Sequence, residues 1–209
     1  MSIDFETIRK KLRKALDAHR YEHTLGVAYT AAMMAEIFGE DSEKAKLAGF
    51  LHDCAKCIPD NKKISLCKKA GFLISETELQ NPSLLHGKAG SILAKDKYGI
   101  DDPDILNAII YHTTGRPGMS LLEKIIFVAD YVEPGRKDHP GMHLDEVRTL
   151  AMTDLDQAVI RILGDTLRYL EGSSKPIDET TQKTYDHYIQ TIKGQAKASD
   201  QIESKKKEI

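Results

Sequence analysis

The chain has 209 residues, 41% of them hydrophobic and 30% charged, and its 30 Lys and Arg nearly cancel its 32 Asp and Glu, leaving a formal net charge of −2. At about 100–200 residues per domain this length predicts one domain, or at most two small ones, and folding buries roughly 70% of the extended surface, so a core can form without disulfides or a structural metal. A wholly disordered chain and a histone-like basic protein are excluded, and an anionic partner has to be drawn by local charge.

The opening stretch, MSIDFETIRKKLRKALDAHR, is amphipathic and highly charged. It holds no apolar run of signal-peptide length, and nowhere are there about 18 consecutive apolar residues, so a cytoplasmic protein that makes no use of a membrane is expected. Cys54, Cys57 and Cys67 are odd in number, which fits a reducing compartment. Cys54 and Cys57 spell C-x-x-C, but no second pair completes a zinc ribbon and no βαβ pattern suggests a thioredoxin. They read as ordinary thiols near a helix end.

Helical periodicity dominates and strict two-residue alternation is hard to find, which predicts an all-α single helical bundle. Arg20–Phe38 carries Val27, Ala31, Met34 and Phe38 on one face and is closed by Gly39. Ser42–Cys54 follows behind an Asp41/Ser42 cap, with Ala45, Ala48 and Leu51 inward. Ile58–Pro59–Asp60 breaks it, and a short basic helix, Lys62–Ala70, ends at Gly71. Ser75-x-x-Glu78 has the form of a capping box, soon interrupted by Pro82. Leu84–Tyr98 stops at Gly99, and Asp102–Pro103 opens Asp104–His112. A second capping box, Ser120-x-x-Glu123, starts Leu121–Val132, which runs to Glu133–Pro134–Gly135. A polar loop, Arg136–His143, precedes Leu144–Ala151; Asp154–Glu171 is stopped by Gly172–Ser173–Ser174; and Asp178–Lys193 turns Tyr185, Tyr188, Ile189 and Ile192 to one side. Residues 1–193 are thus expected to form the domain. Gly194–Ile209, with almost no apolar residue, reads as a short disordered polar tail.

The most informative pair is His52–Asp53, at the end of an apolar helix whose inward residues run up to Leu51, where neither side chain is cheaply buried unpaired. Other inward positions repeat the theme. His23 shares the face of Val27, Ala31 and Met34; His86 lies with Ala89 and Leu93; His112 lies with Ile105 and Ile109; Asp130 follows Ile126 by four. Four histidines and two aspartates on the inner faces of five helices are the donor set a borderline divalent metal requires. Such a metal lowers the pKa of a bound water to about 7 and withdraws charge from a phosphoryl or carbonyl oxygen, so hydrolysis is its natural use.

These residues carry a family resemblance. His23, then His52–Asp53 after about 29 residues, then Asp130, match the H…HD…D signature of the HD-domain phosphohydrolase superfamily. Five stretches sharpen the match: Arg20–Val27, Gly49–Lys56, Leu85–Gly90, Ala108–Gly115 and Ala129–Arg136. Together, over about residues 5–192, they resemble the YqeK-type bacterial HD proteins, the symmetrical bis(5′-nucleosyl)-tetraphosphatases. Cys54 stands where a more usual aromatic residue is found, without touching a ligand.

The resemblance implies that His23, His52, Asp53 and Asp130 hold iron or a similar ion, with manganese, cobalt or zinc as alternatives. His86 and His112 would hold a second ion or contact substrate phosphates, the sequence not separating the two. Asp53, Lys56, His86 and His112 would act in catalysis. His23, Lys56, Ser83, His86, His112 and Arg136 would contact the substrate, with Lys88 also near the polyphosphate and Lys175, Pro176 and Ile177 near the nucleotide. The expected partner is a dinucleoside polyphosphate or a nucleoside diphosphate, with no nucleic acid and no membrane; a homodimer is left open. The expected reaction is cleavage of diadenosine tetraphosphate into two ADP. The alternatives are another HD-type nucleotide phosphohydrolase and a metal- and nucleotide-binding sensor without turnover. A rival string, His19-Arg20-Tyr21-Glu22-His23, has the H-x-x-E-H form of inverted metalloproteases. It leaves His52, Asp53, His86, His112 and Asp130 unexplained, and His19 sits on a polar face.

Overall fold

The computed structural model describes residues 4–138, 142–173 and 176–206, with side chains described as far as Gly194. Its helices are α1 (Phe5–Ala15), α2 (Ala18–Phe38), α3 (Ser42–Leu51), α4 (Asp60–Lys69), α5 (Glu76–Gln80), α6 (His86–Tyr98), α7 (Pro103–Tyr111), α8 (Leu121–Val132), α9 (Leu144–Leu150), α10 (Leu155–Glu171) and α11 (Glu179–Lys206). A 3₁₀ turn, Pro82–Leu85, leads into α6, and no strand occurs among the described residues. The all-α expectation holds.

The helix starts follow the capping chemistry of the sequence. Asp17, Asp41 and Asp154 each accept a backbone N–H three residues on, and Asp102 accepts those of Asp104 and Ile105 ahead of α7. Both capping boxes form, at Ser75/Glu78 and at Ser120/Glu123. Gly39 and Gly99 close α2 and α6 in the left-handed conformation, at φ of 79° and 72°.

Four boundaries differ from expectation. The N-terminal stretch forms α1, seated on the core through buried Ile8 and Leu12. The helix expected over Ser42–Cys54 ends at Leu51, so His52 and Asp53 belong to the turn that follows. The helix expected from Leu84 starts at His86, because Pro82 first sets a 3₁₀ turn. The last helix does not stop at Lys193: α11 continues through Gly194 to Lys206. Gln, Ala, Lys and Glu in that segment are good helix formers, and once a helix is nucleated each further residue adds a hydrogen bond at little cost.

Helices α2 and α3 pack antiparallel, α8 lies against both, and α7 bridges α3, α6 and α8, while α10 packs on α8 and α11 on α10. Met34, Phe50, Leu51, Ile109, Leu122, Ile125 and Ile126 are fully buried between them. Two of these contacts are close enough to exclude a side chain. A Cβ on Gly49 would stand 2.7 Å from the Ala28 Cα, and one on Gly87 would stand 2.5 Å from the Ile110 carbonyl oxygen. Backbone atoms cannot rotate away, so a larger residue at either place separates two helices. Gly49→Ala is expected to cost about 1–3 kcal/mol, a fall in Tm of several degrees at about 2–4 °C per kcal/mol. Thermal unfolding followed by circular dichroism checks this; an unchanged Tm would contradict it.

Candidate metal centre

Three histidines are fixed by one local device. His52 is the C-cap of α3, His86 the C-cap of the 3₁₀ turn and His112 the C-cap of α7. The carbonyls of a last helical turn have no partner within the helix. Nδ1–H of His52 donates to Gly49 O (2.7 Å) and that of His112 to Ile109 O (2.7 Å), taking up such carbonyls, and that of His86 donates to Ser83 O, which also accepts the His86 backbone N–H. His23, near the start of α2, is held from another helix. Its Nδ1–H donates to Glu133 Oε1 (3.2 Å), and Glu133 Oε2 accepts the Gly135 N–H (2.6 Å).

A neutral imidazole that donates from Nδ1 carries a bare lone pair on Nε2. Here the four Nε2 atoms converge. His23 and His52 approach to 3.3 Å and His86 and His112 to 2.9 Å. Two carboxylates join them. Asp130 Oδ1 is 3.0 Å from His23 Nε2 and 3.9 Å from His52 Nε2; Asp53 Oδ2 is 3.6 Å from His52 Nε2, and Asp53 Oδ1 is 3.2 Å from His86 and 3.6 Å from His112. Asp53 is 2% exposed, and its buried Oδ1 has no hydrogen-bond donor among the described residues.

Buried acceptors facing one another are costly unless a cation lies among them. Donors held tetrahedrally at about 2.1 Å from a metal are about 3.4 Å apart, close to the separations found. Two sets, His23/His52/Asp130 and His52/Asp53/His112, have donor atoms within 4.8 Å of one another. The donor chemistry and the orphaned Asp53 oxygen fit a divalent metal, and one or two ions could be held.

Electrostatics favour the ligating form of His52, His86, Asp53 and Asp130. Burial pushes the His52 and His86 imidazoles down to about 4, against the attraction of nearby carboxylates. For Asp53 and Asp130 burial works the other way and is outweighed. Asp53 is held well below the carboxylate range by His52, His112 and His86, and Asp130 is lowered by His23, His52 and Arg136. His23, although buried, is raised by Asp130 and Glu133.

Cations rim the cluster. Lys56 Nζ is 3.2 Å from His86 Nε2 and 3.8 Å from Asp53 Oδ1, and its burial lowers its pKa against the pull of Asp53 and Asp130. Arg136 Nη2 is 2.8 Å from Asp130 Oδ1. Arg20, which the sequence places beside His19 on a polar face, instead puts Nη1 2.7 Å from Asp53 Oδ2. Its signal was present: it stands three residues before His23, one turn away on the same side of a helix. Glu133 was also missed, since an acid beside Pro134 and Gly135 reads as a helix stop. Thr113, with Oγ1 3.3 Å from His86 Nε2, completes the rim.

Other expected residues lie elsewhere. Lys88 is turned to Glu78 (2.7 Å) and the Leu73 carbonyl (2.8 Å), so it braces α6 against α5 rather than joining the cluster. Ser83 is exposed and takes part through its carbonyl. Pro176 is exposed and Ile177 half-buried on the segment leading into α11, and no described hydrogen bond ties either to the cluster; Lys175 lies outside the described residues. His19 and Glu22 are exposed, so the H-x-x-E-H string assembles nothing. Cys54 Sγ meets the Gly90 carbonyl at 3.4 Å, and burial pushes its thiol up to about 12, leaving it inert.

The family model of the HD domain matches residues 20–135. The symmetrical bis(5′-nucleosyl)-tetraphosphatase of Bacillus subtilis (strain 168) is 45% identical over 181 residues, covering 85% of this chain and 94% of that protein. The protein of the same name from Staphylococcus aureus (strain NCTC 8325 / PS 47) is 37% identical over 170 residues, 80% of this chain and 86% of that one. A crystal structure of a predicted HD superfamily hydrolase involved in NAD metabolism, from Clostridium acetobutylicum, superposes with a TM-score of 0.86 at 43% identity, covering 90% of this chain and 98% of that one.

If the convergent Nε2 atoms hold the metal, His52→Ala and Asp53→Ala should each remove stoichiometric binding of cobalt(II), read by its visible absorption, whereas His19→Ala should bind as the wild type does. Retention by the His52 and Asp53 variants with loss in the His19 variant would contradict the assignment.

Proposed function

The chain belongs to the HD domain family, and on that footing we propose that it is a metal-dependent hydrolase cleaving diadenosine tetraphosphate, or a related dinucleoside polyphosphate, symmetrically to two nucleoside diphosphates. The observation that carries this reading is the convergence of four inward-facing imidazole nitrogens and two carboxylates beneath a rim of Arg20, Lys56 and Arg136.

His23, His52, Asp53 and Asp130 are the residues that would hold the metal, with His86 and His112 available to a second ion or to substrate phosphate. A bound divalent cation supplies Lewis acidity and an acidified water. The donors are imidazole and carboxylate with no thiolate, a set suited to iron, which we favour, and also to manganese, cobalt and zinc. Lys56 and Arg136 stand where they can accept the charge that develops on nonbridging phosphate oxygens, and Arg136 can turn from Asp130 to bind a phosphate by two parallel hydrogen bonds. Arg20 anchors Asp53, whose remaining oxygen faces His86 and His112. Both histidines turn Nε2 toward Asp53, where it can accept a proton or bind an ion. Ser83 positions His86 through its carbonyl, and Lys175, Pro176 and Ile177 are assigned to the nucleotide side. We take residues 1–193 as the hydrolase domain and 194–209 as an extension beyond it. We place the protein in the cytoplasm, where its three cysteines, free of disulfides, stay reduced.

The bond cleaved distinguishes this activity. With one nucleoside diphosphate half seated as a unit and its outer oxygens near Lys56 and Arg136, an oxygen of water would bond to its β-phosphorus as the central bridging P–O bond breaks, and the other half would leave as the second diphosphate; the metal, held by His23, His52, Asp53 and Asp130, would supply Lewis acidity there. Diadenosine tetraphosphate in oxygen-18 water should give ADP alone, with label in ADP; AMP and ATP in equal amounts at early times would overturn the symmetrical reading. His86→Ala or His112→Ala should each lose at least tenfold in kcat/KM, about 1.4 kcal/mol of transition-state stabilisation. Near wild-type kinetics in both would remove them from the site.

A further inference from the structure

Helix α2 is apolar nearly all round. It has no Asp, Glu, Lys or Arg between Glu22 and Glu36. A helix of that kind is normally enclosed on every side. Helices α3 and α8 cover most of it, and α1 touches it lightly. One face is left bare: Tyr29, Met33 and Ile37 are 51%, 49% and 49% exposed. They recur every four residues and form one ridge spanning about 12 Å of the axis. Among the described residues, the other exposed large apolar side chains, Leu73, Leu79 and Tyr169, are scattered over other elements.

The charges beside this ridge are segregated. At the Tyr29 end, Lys46 Nζ lies 5.3 Å from the Tyr29 ring centre and 4.6 Å from that of Phe5, and Arg9 and Arg13 line the same hollow. Among the described residues, none of these three cations has a carboxylate within ion-pair distance. At the Ile37 end stand Glu36, Glu40 and Glu43, and none has a cation within that distance either. On the 100° helical period Glu36 falls on the same face as Tyr29 and Met33, and Glu40 follows just past the Gly39 cap.

An apolar ridge with unpaired positive charge at one end and unpaired negative charge at the other complements itself when turned end for end. We propose that α2 is the interface of a homodimer, packed antiparallel on α2 of a second copy about a two-fold axis passing at Met33. Tyr29 then meets the second copy's Ile37, and Lys46, Arg9 and Arg13 face its Glu36 and Glu40. Every contact occurs twice, as a two-fold interface requires, and ridges at four-residue spacing interdigitate as in the commonest helix packing. None of these residues belongs to the metal cluster, so the proposal stands apart from the hydrolase reading.

The full chain, run through size exclusion with light scattering over roughly 1–100 µM, should have a mass of about 47 kDa, twice 23.4 kDa. Met33→Glu should weaken association at least a hundredfold while the circular dichroism spectrum stays native. Glu40→Lys and Lys46→Glu should each weaken it about tenfold, and the double variant carrying both changes should recover it, because reversed charges again face opposite ones across the axis. In a Cys57→Ser background, which removes the exposed thiol, Met33→Cys should form a disulfide dimer under mild oxidation. A wild type that stays monomeric at the highest concentration overturns the proposal. So does a Met33→Glu variant that stays dimeric, a double variant no better than either single one, or co-purification with a different protein on this face in place of self-association.

Discussion

The hydrogen bond from Nδ1 of His52, His86 and His112 to a carbonyl three residues back is the constraint on which the centre depends. Each of these residues caps a helical element and bonds a carbonyl of its last turn, which at His52 and His112 also satisfies a backbone group and in every case fixes the ring. Its second effect is chemical. With the proton held on Nδ1, the inward nitrogen can only accept, and three helix ends together turn such acceptors toward the buried carboxylate of Asp53. Where the chain turns out of a helix is therefore also where it acquires a ligand.

The bundle serves to bring those ends together. Gly49 lets α3 lie against the backbone of α2, which sets His52 beside His23, and Gly87 lets α6 lie against α7, which sets His86 beside His112. Helix α8 delivers Asp130 from its last turn, and Glu133, at its C-cap, reaches back to orient His23. Arg148 extends the brace, donating to the carbonyls of Val132, Glu133 and Arg136. Structural metal sites commonly rely on such outer partners to set the tautomer and aim of a ligating histidine. Here most of those partners are backbone carbonyls, which point mutation cannot remove.

Much of this was legible in the sequence. Caps such as Asp17, Asp41, Asp102 and Ser120 marked helix starts correctly because their chemistry is local, and the inward registers of His23, His86, His112 and Asp130 followed from apolar neighbours at helical spacing. What depended on tertiary context was not legible. Arg20 reads as a surface cation until Asp53 is known to lie 2.7 Å away, and Lys88 reads as a phosphate ligand until Glu78 claims it. Glu133 looks like punctuation, although it is 4% exposed and bonded to His23. The continuation of α11 beyond Lys193 was missed for a different reason: helix propensity sustains it without the apolar face by which a helix is usually recognised. Helix α1 is amphipathic, and of its own side chains only Ile8 and Leu12 are buried, so tertiary packing on the core rather than a broad apolar face holds it.

The protonation pattern of the histidine rings tests the central claim most directly. Long-range proton–nitrogen correlation spectra of uniformly nitrogen-15-labelled, metal-stripped protein near neutral pH distinguish the two neutral tautomers of each imidazole. His52, His86 and His112 should carry the proton on Nδ1, and adding zinc(II) should shift Nε2 of His52 and leave its Nδ1–H in place. A proton found on Nε2 of these rings would mean that they are hydrogen-bond donors of an ordinary polar core, and would contradict a site organised to bind metal.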